Sequence, residues 1–202
     1  MIPKSTKFIL AFALQVIVIL GLIILNLSVV EGGTEVFLRI QPIDPRDPLR
    51  GDYVNFQYEI SRIDGHLFRD AETIRNGDEI TVVLQEGNPY WNIDYAHSKP
   101  ISIPDPRGLP YGSDATVSIK GRVVSGGIDP YAPRQELATS TRFIPITQKE
   151  FRVSYDIEQY YIPEGAGNNF SFWNKDAGMR VKVDERGKAI PTQLYIDGKK
   201  WP

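Results

Sequence analysis

The sequence predicts a mainly β protein with one N-terminal transmembrane helix, followed by a single antiparallel β-sandwich or partly open β-barrel domain. Three observations predict it. Residues 8–30 carry no charge and only Gln15, Asn26 and Ser28 as clearly polar interruptions. As a helix rising about 1.5 Å per residue they reach about 35 Å, enough to cross a hydrocarbon core of about 30 Å. From Thr34 onward, short runs of β-branched and aromatic residues alternate with Gly, Pro, Asn and Asp, the pattern of strands and turns. No long amphipathic helical pattern interrupts them.

The apolar run is longer than the roughly 7–15 residues of a secretory h-region, and Ser28-Val29-Val30 is a poor small-residue cleavage site, so a retained anchor is expected. Lys4 and Lys7 precede the run and Glu31 is the first charge after it. The excess of cytoplasmic positive charge that orients such helices then puts residues 1–7 in the cytoplasm, residues 8–30 in the cell membrane and residues 31–202 outside the cytoplasm. With those two lysines set aside, the formal charge of −2 becomes −4 for the outer part. That balance, with no dense Lys/Arg block, argues against a nucleic-acid partner. The chain has no cysteine and only His66 and His97, which excludes zinc–cysteine sites, a thiol nucleophile, a redox pair and a two-histidine HExxH zinc site. No metal, no cofactor and no catalytic residue is expected. Cysteine-free sequence outside the cytoplasm, where disulfides are permitted, fits a bacterial envelope protein.

The strands are expected in order. Residues 35–40 form the first, and residues 53–60 the clearest, with Val54, Phe56, Tyr58 and Ile60 on one face and Tyr53, Asn55, Gln57 and Glu59 on the other. Arg75-Asn76-Gly77-Asp78 reads as a turn launching residues 79–84. Residues 91–96, 116–124 and 151–157 follow; in the last, Phe151, Val153, Tyr155 and Ile157 alternate with charged or polar neighbours. Residues 179–183 and 193–196 flank 184–187 as a terminal hairpin with a glycine-containing loop. Prolines and glycines make 101–112 and 125–134 surface loops. A short tether is expected between helix and domain.

Residues 44–53 place Asp44, Arg46, Asp47, Arg50 and Asp52 between two strands and run into Tyr53. Pro45 and Pro48 stiffen this connection, so it reads either as a loop whose side chains satisfy its own turns or as a recognition surface for an anionic group, which arginine contacts in bidentate fashion. Tyr155, Tyr160 and Tyr161 with Glu158 and Glu164 form a second cluster, an aromatic strand entering a Pro-Glu-Gly turn. Its rings read most simply as core, which large aromatic side chains fill efficiently.

The first segment, continuing as Gly51-Asp52-Tyr53-Val54-Asn55-Phe56-Gln57-Tyr58, resembles the signature of the GDYXXLXY family, bacterial membrane-anchored proteins in which a DPRD-like run usually precedes the motif. Phe56 stands where the family has leucine and keeps an apolar residue on the inward face. Residues 157–165 resemble a second family segment, IERYFVPEG-like, with Gln159 in place of a basic residue. The similarity spans about residues 1–197. It implies a membrane-anchored protein and carries no catalytic assignment. Envelope signal peptidases are also anchored β proteins with Gly-Asp turns, but their serine would fall within residues 42–50, which hold neither serine nor lysine.

Function is therefore expected to be that of a non-catalytic module binding a membrane or envelope protein, tethered through residues 8–30. The candidate surface is Asp44, Arg46, Asp47, Arg50, Asp52, Tyr53, Glu158, Tyr160, Tyr161 and Glu164. The alternative is an envelope hydrolase acting on peptide or glycan through paired carboxylates.

Overall fold

A computed structural model describes residues 4–42, 53–98, 116–128, 149–162 and 174–201. Helix α1 runs over Lys4–Gly32, dominated by Leu, Ile, Val, Phe and Ala, and its few polar residues form no polar stripe. It is long and apolar enough to cross a membrane, and its most apolar stretch is not buried in the protein. Phe8, Phe12 and Ile17 project outward, so the helix is not a core element.

The expected tether is in fact one residue. The Gly33 N–H donates to the Val29 carbonyl at 2.9 Å, closing the last helical turn, and β1 (Thr34–Pro42) starts at once. A Cβ on Gly33 would lie 2.5 Å from the Val29 carbonyl oxygen and 3.0 Å from that of Val183, so only glycine lets helix and strand join this closely. Val29 is 2% exposed against the domain. Lys182 Nζ donates to the Gly33 carbonyl at 3.1 Å and Lys188 Nζ to Asn26 Oδ1 at 2.8 Å.

The remaining elements are β2 (Tyr53–Tyr58), β3 (Arg62–Asp64), β4 (Glu79–Gln85), β5 (Asn92–His97), β6 (Thr116–Ser125), β7 (Glu150–Ser154), β8 (Gln159–Tyr161), β9 (Ala177–Val183), β10 (Ala189–Ile196) and β11 (Lys199–Lys200). They form two antiparallel sheets, one in the order β11-β10-β9-β1-β2-β8 and the other β3-β7-β6-β4-β5. The fold class matches the sequence expectation, and the alternation along each strand explains it. Val36, Leu38 and Ile40 of β1, Val54, Phe56 and Tyr58 of β2, and Met179, Val181 and Val183 of β9 point inward. They meet Ile80, Val82 and Leu84 of β4, Ile119 and Val123 of β6, and Phe151 and Val153 of β7 from the second sheet in one core. β6 interrupts its inward row with Gly121, where a Cβ would fall 2.5 Å from Val153 Cγ1 and 3.0 Å from the Tyr155 ring, the side chains that occupy that space.

Several boundaries differ from the sequence reading. The second strand stops at Tyr58, and Ile60 sits in a 3-10 turn over Glu59–Ser61. The strand expected at 151–157 stops at Ser154. Tyr155 and Ile157 are still buried, but a turn through Asp156, which holds φ 59°, carries them inward. β10 begins at Ala189, four residues before the expected 193, because Pro191 and a register shift between Pro191 and Gln193 break the alternation that marks a strand. The Arg75–Asp78 turn forms as expected, with Gly77 at φ 95° and the Arg75 N–H donating to Asp78 Oδ2 at 2.8 Å. The loop expected at 101–112 lies outside the described residues, as does most of 125–134. Within that second stretch, Ser125 ends β6 and Ile128 forms a β-bridge with Arg75.

Candidate functional site

The described parts of the two family-like motifs, residues 53–58 and 157–161, meet at one end of the domain. β2 and β8 pair antiparallel, Tyr53 opposite Tyr161, Val54 opposite Tyr160 and Asn55 opposite Gln159. The Phe56 N–H continues the ladder by donating to the Glu158 carbonyl at 3.1 Å. Thr34 begins β1 beside α1, whereas the opposite end of β1, Pro42, pairs with Phe56. At about 3.4 Å per residue the length of β1 puts the β2–β8 end about 27 Å from the root of the helix.

A reciprocal pair of tyrosines binds these segments. The Tyr58 hydroxyl donates to the Ile157 carbonyl at 3.0 Å, and the Tyr155 hydroxyl donates to the Ile60 carbonyl at 2.7 Å. Each phenol thus reaches the backbone of the segment that holds the other. Tyr58 is 0% exposed and packs edge-on against Phe56 at 5.3 Å between ring centroids. Burial first, and the nearby Glu158 charge second, push both hydroxyls well above the usual phenol range, so both stay protonated donors. The closing tyrosine of the first family segment is therefore a clasp to the second segment.

Glu158 is likewise occupied by structure. Its two carboxylate oxygens accept from the Tyr155 and Ile157 N–H groups, groups that the left-handed turn at Asp156 would otherwise leave unpaired. A carboxylate held so by its own turn is a poor general acid or base. Of the other candidates, Tyr160 packs half-buried against the core and Tyr161 is 80% exposed. Tyr53 contributes its backbone to the ladder. Asp44, Arg46, Asp47, Arg50, Asp52 and Glu164 lie outside the described residues, as does any pairing of those arginines with Glu158. Among the described residues no group of three His, Asp or Glu is placed to hold a metal ion.

A second surface escaped the sequence reading. On the outer face of the six-stranded sheet, Phe37 stacks on Tyr90 at 4.8 Å and meets Tyr195 edge-on at 5.4 Å. Arg39 lies over Tyr90 and Arg180 over Tyr195, at 5.5 and 5.1 Å from the ring centroids. Arg39 pairs with Asp176 at 3.3 Å and Arg180 with Glu35 at 2.6 Å. Gly178 makes room for the stack, since a Cβ there would stand 2.6–2.8 Å from the Tyr90 and Phe37 rings. Burial, then a hydrogen bond to Asp176, raises the Tyr90 hydroxyl to about 12. Its charges and rings satisfy one another, which reads as bracing of the sheet. The signal available in sequence was Phe37 on the outward face between Glu35 and Arg39.

The family model described as "GDYXXLXY protein" matches residues 15–194, most of the chain. No curated protein and no solved structure matches it.

Proposed function

Since this chain belongs to the GDYXXLXY family, whose two sequence segments here pair as β2 and β8, we propose that it is a single-pass membrane protein whose domain outside the cytoplasm binds a membrane or envelope protein. The observation that carries this reading is the opposition of its two ends. The apolar helix, unburied over its most apolar stretch, enters the domain through Gly33. The paired family segments leave the domain at the other end, where Tyr161 is exposed. A domain fixed to the membrane at one end meets its neighbours at high effective concentration, which favours association without catalysis. The charged residues 44–52, bounded by the β1 and β2 strand ends at Pro42 and Tyr53, supply specificity in this reading. Lys4 and Lys7 on one side of the span orient the N-terminus to the cytoplasm.

A photo-crosslinking residue at Tyr161, incorporated in living cells, is expected to recover a specific membrane or envelope protein, while the same residue at Glu72, exposed elsewhere on the domain, recovers none of it. Identical recovery from both positions, or none from Tyr161, refutes the reading. Protease added to spheroplasts is expected to digest a C-terminal tag; a protected tag refutes the orientation.

A further inference from the structure

We propose that the tip of the β9–β10 hairpin, Asp184–Lys188, rests in the phospholipid headgroup layer with Arg186 and Lys188 against headgroup phosphates; this rests on the membrane-anchor reading above. The argument begins with Asn26. Lys188 Nζ donates to Asn26 Oδ1 at 2.8 Å, and Asn26 Nδ2 donates back along the helix to the Leu22 carbonyl at 3.0 Å. Asn26 lies six residues before the helix end at Gly32, about 9 Å down the axis. A lysine ammonium is costly inside hydrocarbon, so the hydrocarbon boundary lies at or before Asn26 and not at Val30. Residues 8–25 still reach about 27 Å, the thickness of a thin bilayer core. The last turns of α1 then stand in the interface, and Val29, buried against the domain, belongs to the folded part.

The hairpin is built to hold its cations at that level. Asp184 Oδ1 accepts from the Arg186 N–H at 2.9 Å and the Lys188 N–H at 2.8 Å, which commits its carboxylate to the turn. Gly187 takes φ 81°, and its carbonyl accepts from the Lys120 N–H of β6 at 2.9 Å, seating the tip on the second sheet. Arg186 and Lys188 are exposed, and guanidinium and ammonium groups beside a bilayer pair with phosphodiesters. Glu185 in the hairpin and Glu31 near the end of α1 are exposed as well, so the fit is to headgroups carrying both an amine and a phosphate, mixed with anionic ones.

The chain has no cysteine, so single labels are unambiguous. The full chain is reconstituted in vesicles of phosphatidylethanolamine and phosphatidylglycerol as three variants, Leu20→Cys, Glu185→Cys and Lys199→Cys, each carrying a fluorophore. Nitroxide lipids labelled on the acyl chain or on the headgroup serve as quenchers. The expected result is acyl-chain quenching at position 20, headgroup quenching at 185 and neither at 199, at the far end of β10. Adding Arg186→Ala or Lys188→Ala to Glu185→Cys lowers the docked-to-undocked ratio about fivefold for each cation removed. Quenching at 20 with none at 185, or quenching at 185 that ignores both alanine substitutions, overturns the headgroup contact and leaves the anchor standing. No quenching at 20 overturns the anchor itself and the contact with it.

Discussion

Replacing Tyr58 by Phe removes one oxygen atom from a side chain that is 0% exposed and keeps its ring. No cavity of consequence opens, so the effect isolates the hydrogen bond to the Ile157 carbonyl at 3.0 Å. A buried acceptor that loses its donor costs about 1–3 kcal/mol. Taking about 2 kcal/mol, and about 2–4 °C per kcal/mol for a domain of this size, the midpoint should fall by about 4–8 °C. Tyr155→Phe, which releases the Ile60 carbonyl, should cost a similar amount. Because the two bonds join the same pair of segments in opposite directions, losing either loosens the other, and the double variant should cost less than the sum by about 0.5–3 kcal/mol. Tyr161→Phe, on an 80% exposed side chain, should stay within about 0.5 kcal/mol of the parent. Urea and thermal unfolding of the full chain in nanodiscs, followed by tryptophan fluorescence, measure all four. The clasp is refuted if Tyr58→Phe is as mild as Tyr161→Phe, or if the two core substitutions add without coupling.

Gly178→Ala should cost about 1–3 kcal/mol by driving a methyl group into the Tyr90 and Phe37 rings; thermal unfolding unchanged from the parent would show that the stack yields freely. Glu158→Ala should destabilise by about 1–3 kcal/mol, because the Tyr155 and Ile157 N–H groups lose their acceptors, and amide exchange should speed at both; protection that persists contradicts the capping role. Stability should also fall at high pH. Tyr58, Tyr155 and Tyr90 are all raised in the folded state, Tyr90 to about 12, while the unfolded chain releases those protons near pH 10. Their contribution is therefore complete below about pH 10 and is lost as pH rises from there through the folded values. A urea midpoint that stays flat from about pH 8 to about pH 11.5 would exclude this linkage.

Much of this architecture was legible because alternation survives wherever one face of a strand is buried. Val54, Phe56 and Tyr58 were assigned inward from pattern alone and all three are in the core. The pattern misled at 155–157, where Tyr155 and Ile157 keep the inward rhythm although the strand has ended. A turn that buries every second residue imitates a strand, and only Asp156 in the left-handed region distinguishes it. β3, β8 and β11, of three residues or fewer, are too short to show a period, and they form because a neighbouring strand offers them a ladder. At the candidate site, the two motifs were legible in the sequence; the bonds of Glu158 to its own turn were not, because they depend on a backbone conformation that no residue spacing reveals. The stacked outer face stayed hidden because Tyr90 reaches it from a loop, far in sequence from Phe37 and Tyr195.

The single-glycine junction makes the protein a lever under the proposed anchoring. With Gly33 confined between two carbonyls and Lys188 strutted to Asn26, helix and domain turn as one body, and the pivot lies in the lipid. A tilt of about 20°, common for a lone span, swings an arm of about 27 Å sideways by about 9 Å, so Tyr161 sweeps an arc wider than the spacing between neighbouring strands. A bilayer that thins or thickens would then register as lateral travel at the outer end of the domain, and whatever grips that end would in turn set the angle of the helix.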